Sequence, residues 1–181
     1  PRRFFSAALR SQKGGLSVHV DEAIRSRKSV RRFLPASVPS SVVQHILSVA
    51  ARAPSGNNVQ PWKVYAVAGE ARQRLCDAFI EAATHEPDRH QPEYAYYPTT
   101  WVEPYLERRR RCGFGLYASL GIARDDAAAR ERQMLRNYTF FDAPVGLLVT
   151  LDRRLNTGSF MDLGMFIPVS YTHLTLPTIC S

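Results

Sequence analysis

Apolar and polar positions along the chain alternate with two different periods, and the switches between them mark the elements. Asp21 is placed to cap a short helix carrying Ala23, Ile24 and Arg27. Pro39-Ser40-Ser41 opens a second helix, where Val42, Val43, Ile46, Leu47, Val49 and Ala50 recur at helical spacing on one buried face, and Pro54 stops it. Trp62–Val67 alternates and predicts a strand. Glu70–Ala83 returns to helical spacing, with Leu75, Phe79 and Ile80 inward. Thr84–Pro104 has no period and is rich in Pro, Tyr, His and acid, which predicts a long surface excursion. Helices are expected over Tyr105–Ile122 and about Asp125–Asn137. The continuous apolar run Val145–Leu151 predicts a strand buried on both faces. A last helix is expected over Phe160–Ile167, ended by Pro168.

Between the first two helices, Ser29–Phe33 is basic and β-branched, and ends at Leu34-Pro35, where the residue before proline leaves helical space. It is expected to be extended, with Ser29 and Arg31 on one face. Residues 1–17 carry Arg2, Arg3, Arg10 and Lys13 without an acid and are expected to be a disordered extension or an upstream-fused reading frame, although the pattern also suits a transit peptide. Residues 18–167 are expected to form the domain. Residues 168–181, PVSYTHLTLPTICS, resemble translated sequencing-adapter read-through and are expected to be a non-native tail.

Composition changes this picture little. A chain of 181 residues, 45% hydrophobic and 22% charged, fits one globular domain. Its net charge of +8 favours anionic partners or is simply a solvated basic surface. Cys76, Cys112 and Cys180 are far apart and form no zinc-ligand spacing and no disulfide framework, so no metal site is expected. They suit a reducing cytoplasm. No apolar run reaches the roughly 20 residues that span a bilayer, and no membrane role is expected.

Two segments carry candidate chemistry. Arg25–Phe33 holds five cations (Arg25, Arg27, Lys28, Arg31, Arg32) and two serines, Ser26 and Ser29, enough to neutralise and hydrogen-bond one phosphate. Arginine supplies a planar donor fork and serine a short donor. The same residues also suit a solvated basic strand or a nucleic-acid contact. The second segment is Ala53-Pro54-Ser55-Gly56-Asn57-Asn58-Val59-Gln60-Pro61-Trp62. Its small residues would expose backbone N–H groups to a flat anionic ligand, and its amides offer donors and acceptors to a heterocycle edge. It could equally be an ordinary helix-to-strand connection. Neither segment matches the glycine-rich phosphate loops of the common nucleotide folds. No catalytic dyad or triad is evident. His85 and His90 read as solvated, and Tyr94, Tyr96, Tyr97 and Trp101 either roof an aromatic substrate or pack within their loop.

Taken in order, the basic segment, apolar helix, P-S-G-N-N-x-Q-P-W loop and strand resemble the flavin site of the nitroreductase family. The resemblance runs from about Val20 to Ile167. Trp101–Arg110 and Phe140–Gly146 are similar to its subgroup reducing nitrobenzoate-like and nitrobenzene-like acceptors, and Gly158–Gly164 resembles the start of the long central helix at the family's dimer interface. The resemblance implies an α+β fold, a mainly antiparallel sheet flanked by helices, in a homodimer with its flavin between subunits. It implies that Arg27, Lys28 and Ser29 meet the phosphate and ribityl region of FMN, and that Arg31 sits by the N1/O2 edge of the ring, where a cation raises the flavin's potential. Pro54, Ser55, Gly56 and Asn58, with Gln60 beside them, would reach the flavin of the other subunit. The implied function is oxidoreduction, electrons passing from NAD(P)H through FMN to nitroaromatic or related acceptors, without nucleic acid and without a protein nucleophile. A non-catalytic or flavin-modifying FMN-binding relative is the alternative, and a basic nucleic-acid-binding domain a more distant one. The family continues past the central helix, so the chain is expected to be C-terminally incomplete, with the apolar surface left exposed lowering its solubility and activity.

Overall fold

The computed structural model describes residues 19–174, with side chains through Ser170. The expected extension at 1–17 and the last residues of the expected tail lie outside them. In chain order the elements are α1 (Val20–Ser26), α2 (Ser40–Ala50), β1 (Lys63–Ala68), α3 (Gly69–His85), α4 (Tyr105–Leu120), α5 (Ala127–Leu135), β2 (Val145–Thr150) and α6 (Gly158–Leu174). Single turns of 3-10 helix lie at Gly56–Asn58, Pro87–Arg89 and Phe140–Asp142. β1 and β2 pair as a two-stranded antiparallel sheet, and the helices make the class α+β.

The chain forms two compact units. The first runs through Arg31, then Ala36–Val67, and resumes from Leu147. Its core is Ala50, Ala53 and Phe166, packed by Leu47, Trp62, Val64, Val149, Leu163 and Val169. Phe166 is only 2% exposed, and its ring stacks on Trp62 with centroids 4.9 Å apart. Along α6 the inward positions Asp162, Leu163, Phe166, Val169 and Ser170 follow the 3.6-residue period, so one stripe faces α2 and the opposite stripe is left outward.

The second unit comprises Arg32–Pro35 and Ala68–Gly146. Phe79 of α3 lies 6.4 Å from Tyr138 and 6.5 Å from Phe140, ring to ring. Arg72 donates to the Thr139 carbonyl at 3.1 Å and ties α3 to this cluster. α4 ends on Gly121 at φ 69°, a left-handed cap at which the Gly121 and Ile122 amides donate to Ala118 and Tyr117. Asp126 caps α5 by accepting from the Ala129 amide at 2.8 Å.

Four expectations need correction. Asp21 sits in the first turn of α1, and the cap is His19, whose Nδ1 accepts from the Asp21 amide at 3.3 Å. Residues 29–33 are irregular: among the described residues no strand pairs with them, so they have no ladder to complete. β2 is half-buried, with Gly146 its buried residue and Thr150 exposed, since in the two-stranded sheet of the described residues it pairs on one side only and its other edge is open. α6 does not stop at Pro168 but continues to Leu174. The missing proline N–H costs about 3 kcal/mol, and burial of Phe166, Val169 and Ser170 on both sides of it offsets that. Most other elements keep their predicted places, and the 84–104 excursion is irregular and largely exposed once α3 ends at His85.

Candidate functional site

The basic segment through Arg31 and the whole of the 53–62 segment lie in the first unit, and both adjoin α6. α1 packs on α6, and its last residue, Ser26, leads directly into Arg27. The 56–58 turn packs on α6 as well. One helix is therefore the common support for both.

Arg27, Lys28, Ser29 and Arg31 are all exposed. Arg27 is the C-cap of α1 at φ −55° and ψ 132°, where the chain leaves the helix and becomes extended. Arg31 Nη1 donates to the Ser29 carbonyl at 3.3 Å, so its side chain folds back along its own segment in place of the strand face expected for the pair. Three cations and a hydroxyl within five residues remain on one solvent-facing stretch, a donor set suited to a phosphate.

The 54–60 loop is held by a small network. Asp162 Oδ1 on α6 accepts from the Gly56 amide at 3.0 Å, across 106 residues of sequence. Ser55 Oγ accepts from the Gln60 amide at 2.9 Å. The Ser55 and Gly56 carbonyls accept from the Asn58 and Val59 amides, each at 3.0 Å. Asn57, Asn58 and Gln60 are left-handed, at φ 48°, 55° and 49°. Asn tolerates this conformation because its short side chain bonds locally, whereas Gln bears a strain of order 1–2 kcal/mol.

This network corrects one expectation. The amides of Gly56, Asn58, Val59 and Gln60 are all engaged within the protein, so they are not an exposed N–H cradle for an anion. The loop presents instead the exposed side chains of Pro54, Asn57, Asn58 and Gln60, with Ser55 half-buried behind them. Amide side chains suit the polar edge of a ring system better than a phosphate. The basic segment and the loop thus offer two different chemistries.

Asp162 carried no assigned role in the sequence. It is 8% exposed, and among the described residues no cation pairs with it. A signal was present: it is the one acidic residue in α6, inside the apolar run Phe160–Ile167. A carboxylate in such a place needs a donor, and the sequence does not say which.

The remaining singled-out residues belong to the second unit. Tyr96 and Tyr97 are strongly exposed and meet edge-on at 4.7 Å, and Tyr97 lies 5.7 Å from Trp101. The Arg109 guanidinium lies 5.0 Å from the Trp101 ring centroid. His85 Nδ1 is 3.0 Å from Glu81, and His90 Nε2 is 3.5 Å from Glu86, both on the surface. No three His, Cys, Asp or Glu side chains converge on a metal position among the described residues. No helix there is long and apolar enough to cross a membrane.

One carboxyl is strongly perturbed. Asp152, after β2, receives Arg154 Nε at 2.9 Å, Nη2 at 2.7 Å and the Arg154 amide at 3.0 Å. The guanidinium bonds first, then the amide and the charge of Lys63, hold it at about 2, below its ordinary 3.8. This clamp closes a turn and belongs to neither candidate segment.

Residues 24–169 match the model of the nitroreductase family. The chain is 43% identical over 151 residues to chloronitrobenzene nitroreductase of Comamonas testosteroni, covering 83% of this chain and 66% of that protein. It is 40% identical over 149 residues to 4-nitrobenzoate reductase of Nocardioides sp. (strain LMS-CY), covering 81% and 60%. It thus spans two thirds or less of these relatives. Among solved structures, the FMN and NADPH-dependent nitroreductase NfnB from Sphigopyxis sp. strain HMH superposes with a TM-score of 0.82 at 39% identity, over 87% of this chain and 70% of that one.

Proposed function

Since this chain belongs to the nitroreductase family, we propose that it is the FMN-binding part of an oxidoreductase carrying electrons from NAD(P)H to nitroaromatic acceptors. The observation that carries this reading is the family match across both candidate segments, joined to their seating on one helix. The donor chemistry fits the cofactor. Arg27, Lys28 and Ser29 would hold the phosphate and ribityl region through charge-assisted bonds. Arg31 would stand near the N1/O2 edge and favour negative charge there. Pro54, Ser55, Gly56 and Asn58, with Gln60, would line the ring of the flavin held by a second copy. FMN, when bound, supplies the hydride acceptance and donation, and these residues supply orientation, charge and exclusion of water.

A homodimer follows from the same reading. Val20 and Ile24 on α1 are 68% and 62% exposed, and Met161 on α6 is 72% exposed, with Phe160 and Ile167 also outward. An apolar surface of this kind suits a second copy of the chain. The free thiols Cys76 and Cys112 suit a reducing compartment such as the cytoplasm.

The test is spectroscopic. Purified protein mixed with FMN should retain flavin absorbance after desalting. Anaerobic NADPH or NADH should bleach it, and nitrobenzene or 4-nitrobenzoate should restore it. Flavin that binds but never bleaches would make the protein a binding module. Protein that takes up no flavin yet binds DNA with a steep salt dependence would be a basic nucleic-acid-binding domain.

A further inference from the structure

We propose that Asp162 is the positioning residue of the 54–60 loop, clamping Gly56 from behind so that the loop's amide side chains face the ligand. This rests on the functional reading above for what the ligand is, but not for the clamp itself. A carboxylate 8% exposed on an apolar helix is costly unless donors reach it. The donor present is the Gly56 amide at 3.0 Å. The bond therefore works in both directions: the amide satisfies the buried side-chain oxygen, and that oxygen fixes the loop residue that makes a polar contact with α6. With Gly56 pinned, Ser55 Oγ pins Gln60 at 2.9 Å, and Asn57 and Asn58 between them are carried into the left-handed region. Asp162 lies one helical turn from Phe166 on the same buried stripe, so core packing sets the position of the carboxylate and the carboxylate sets the loop.

The Asp162→Ala and Asp162→Asn variants separate positioning from bulk stability, because asparagine keeps an acceptor oxygen of the same reach. Amide exchange followed by NMR reports on Gly56 directly, and FMN titration reports on the site. Asp162→Ala is expected to lose Gly56 protection and to weaken FMN binding by about tenfold or more, the scale of a lost bond to a charged group. Asp162→Asn is expected to restore the protection and most of the affinity. If Asp162→Ala does not fold, Asp162→Leu keeps most of the side-chain volume on the same apolar stripe and removes the acceptor. Asp162→Leu should lose Gly56 protection and weaken FMN binding to the same degree. Protection of Gly56 unchanged in Asp162→Ala or Asp162→Leu, or lost equally in Asp162→Asn, overturns the proposal. Wild-type protein that takes up no FMN defeats the functional reading instead, and the Gly56 exchange still decides the clamp.

Discussion

Replacing Phe166 with alanine removes the centre of the first unit's core, and its cost can be worked out. Phe166 is 2% exposed, packs on Ala50 and Ala53, and stacks with Trp62 at 4.9 Å. A buried phenylalanine takes roughly 150–250 Å² out of water. At about 25 cal/mol per Å² that is ~4–6 kcal/mol as an upper bound. Alanine keeps a small part of that burial and leaves a cavity, so the expected loss is about 3–5 kcal/mol. Against a total stability of roughly 5–15 kcal/mol, such a loss leaves the unit marginal. Urea unfolding followed by far-UV circular dichroism measures it, with the midpoint falling at unchanged slope. Phe166→Leu should cost much less, because most of the volume stays. A cycle with Trp62→Leu should reveal about 0.5–1.5 kcal/mol of ring–ring coupling. FMN affinity should fall in the alanine variant as well, since Asp162 is one turn away on the same stripe. A loss below about 1 kcal/mol would refute the assignment of Phe166 to a packed core.

Three further outcomes are expected. Gly146→Ala places a Cβ 2.7 Å from the Phe140 ring, within the second unit, and should destabilise by about 1–3 kcal/mol in the same urea assay; wild-type stability would mean that the ring moves freely. Arg27→Ala and Ser29→Ala should each weaken FMN binding, the arginine by roughly 10–100-fold as a charged partner, measured by fluorescence titration, and unchanged affinity in both would move the phosphate elsewhere. Asp152 has a folded pKa of about 2 against 3.8, so its contribution to stability is complete above pH 3.8 and is lost as the pH falls through 2; carboxyl NMR titration should show the depressed value, and Arg154→Ala should return it toward 3.8.

Helices α2 and α4 and strand β1 could be read locally, because a one-sided burial pattern repeats within a few residues and proline or glycine marks the ends. The loop at 54–60 was equally legible as a loop, since Gly and Asn tolerate the left-handed backbone found at 57 and 58. Residues 29–33 were less so: Val30 and Phe33 favour a strand, but a strand forms only when a neighbour supplies the other half of its hydrogen bonds.

The amino-acid order by itself determined where helices and loops fall, the two segments with phosphate-like and ring-edge chemistry, and the family they resemble. All of these depend on residue type at short spacing. The tertiary structure decided that α6 runs through Pro168, that it supports both segments, and that the loop's amides turn inward to Asp162 and to one another. Those outcomes depend on which groups meet across long stretches of chain, 106 residues for the Gly56–Asp162 bond, and burial selects such meetings only once the helix has packed.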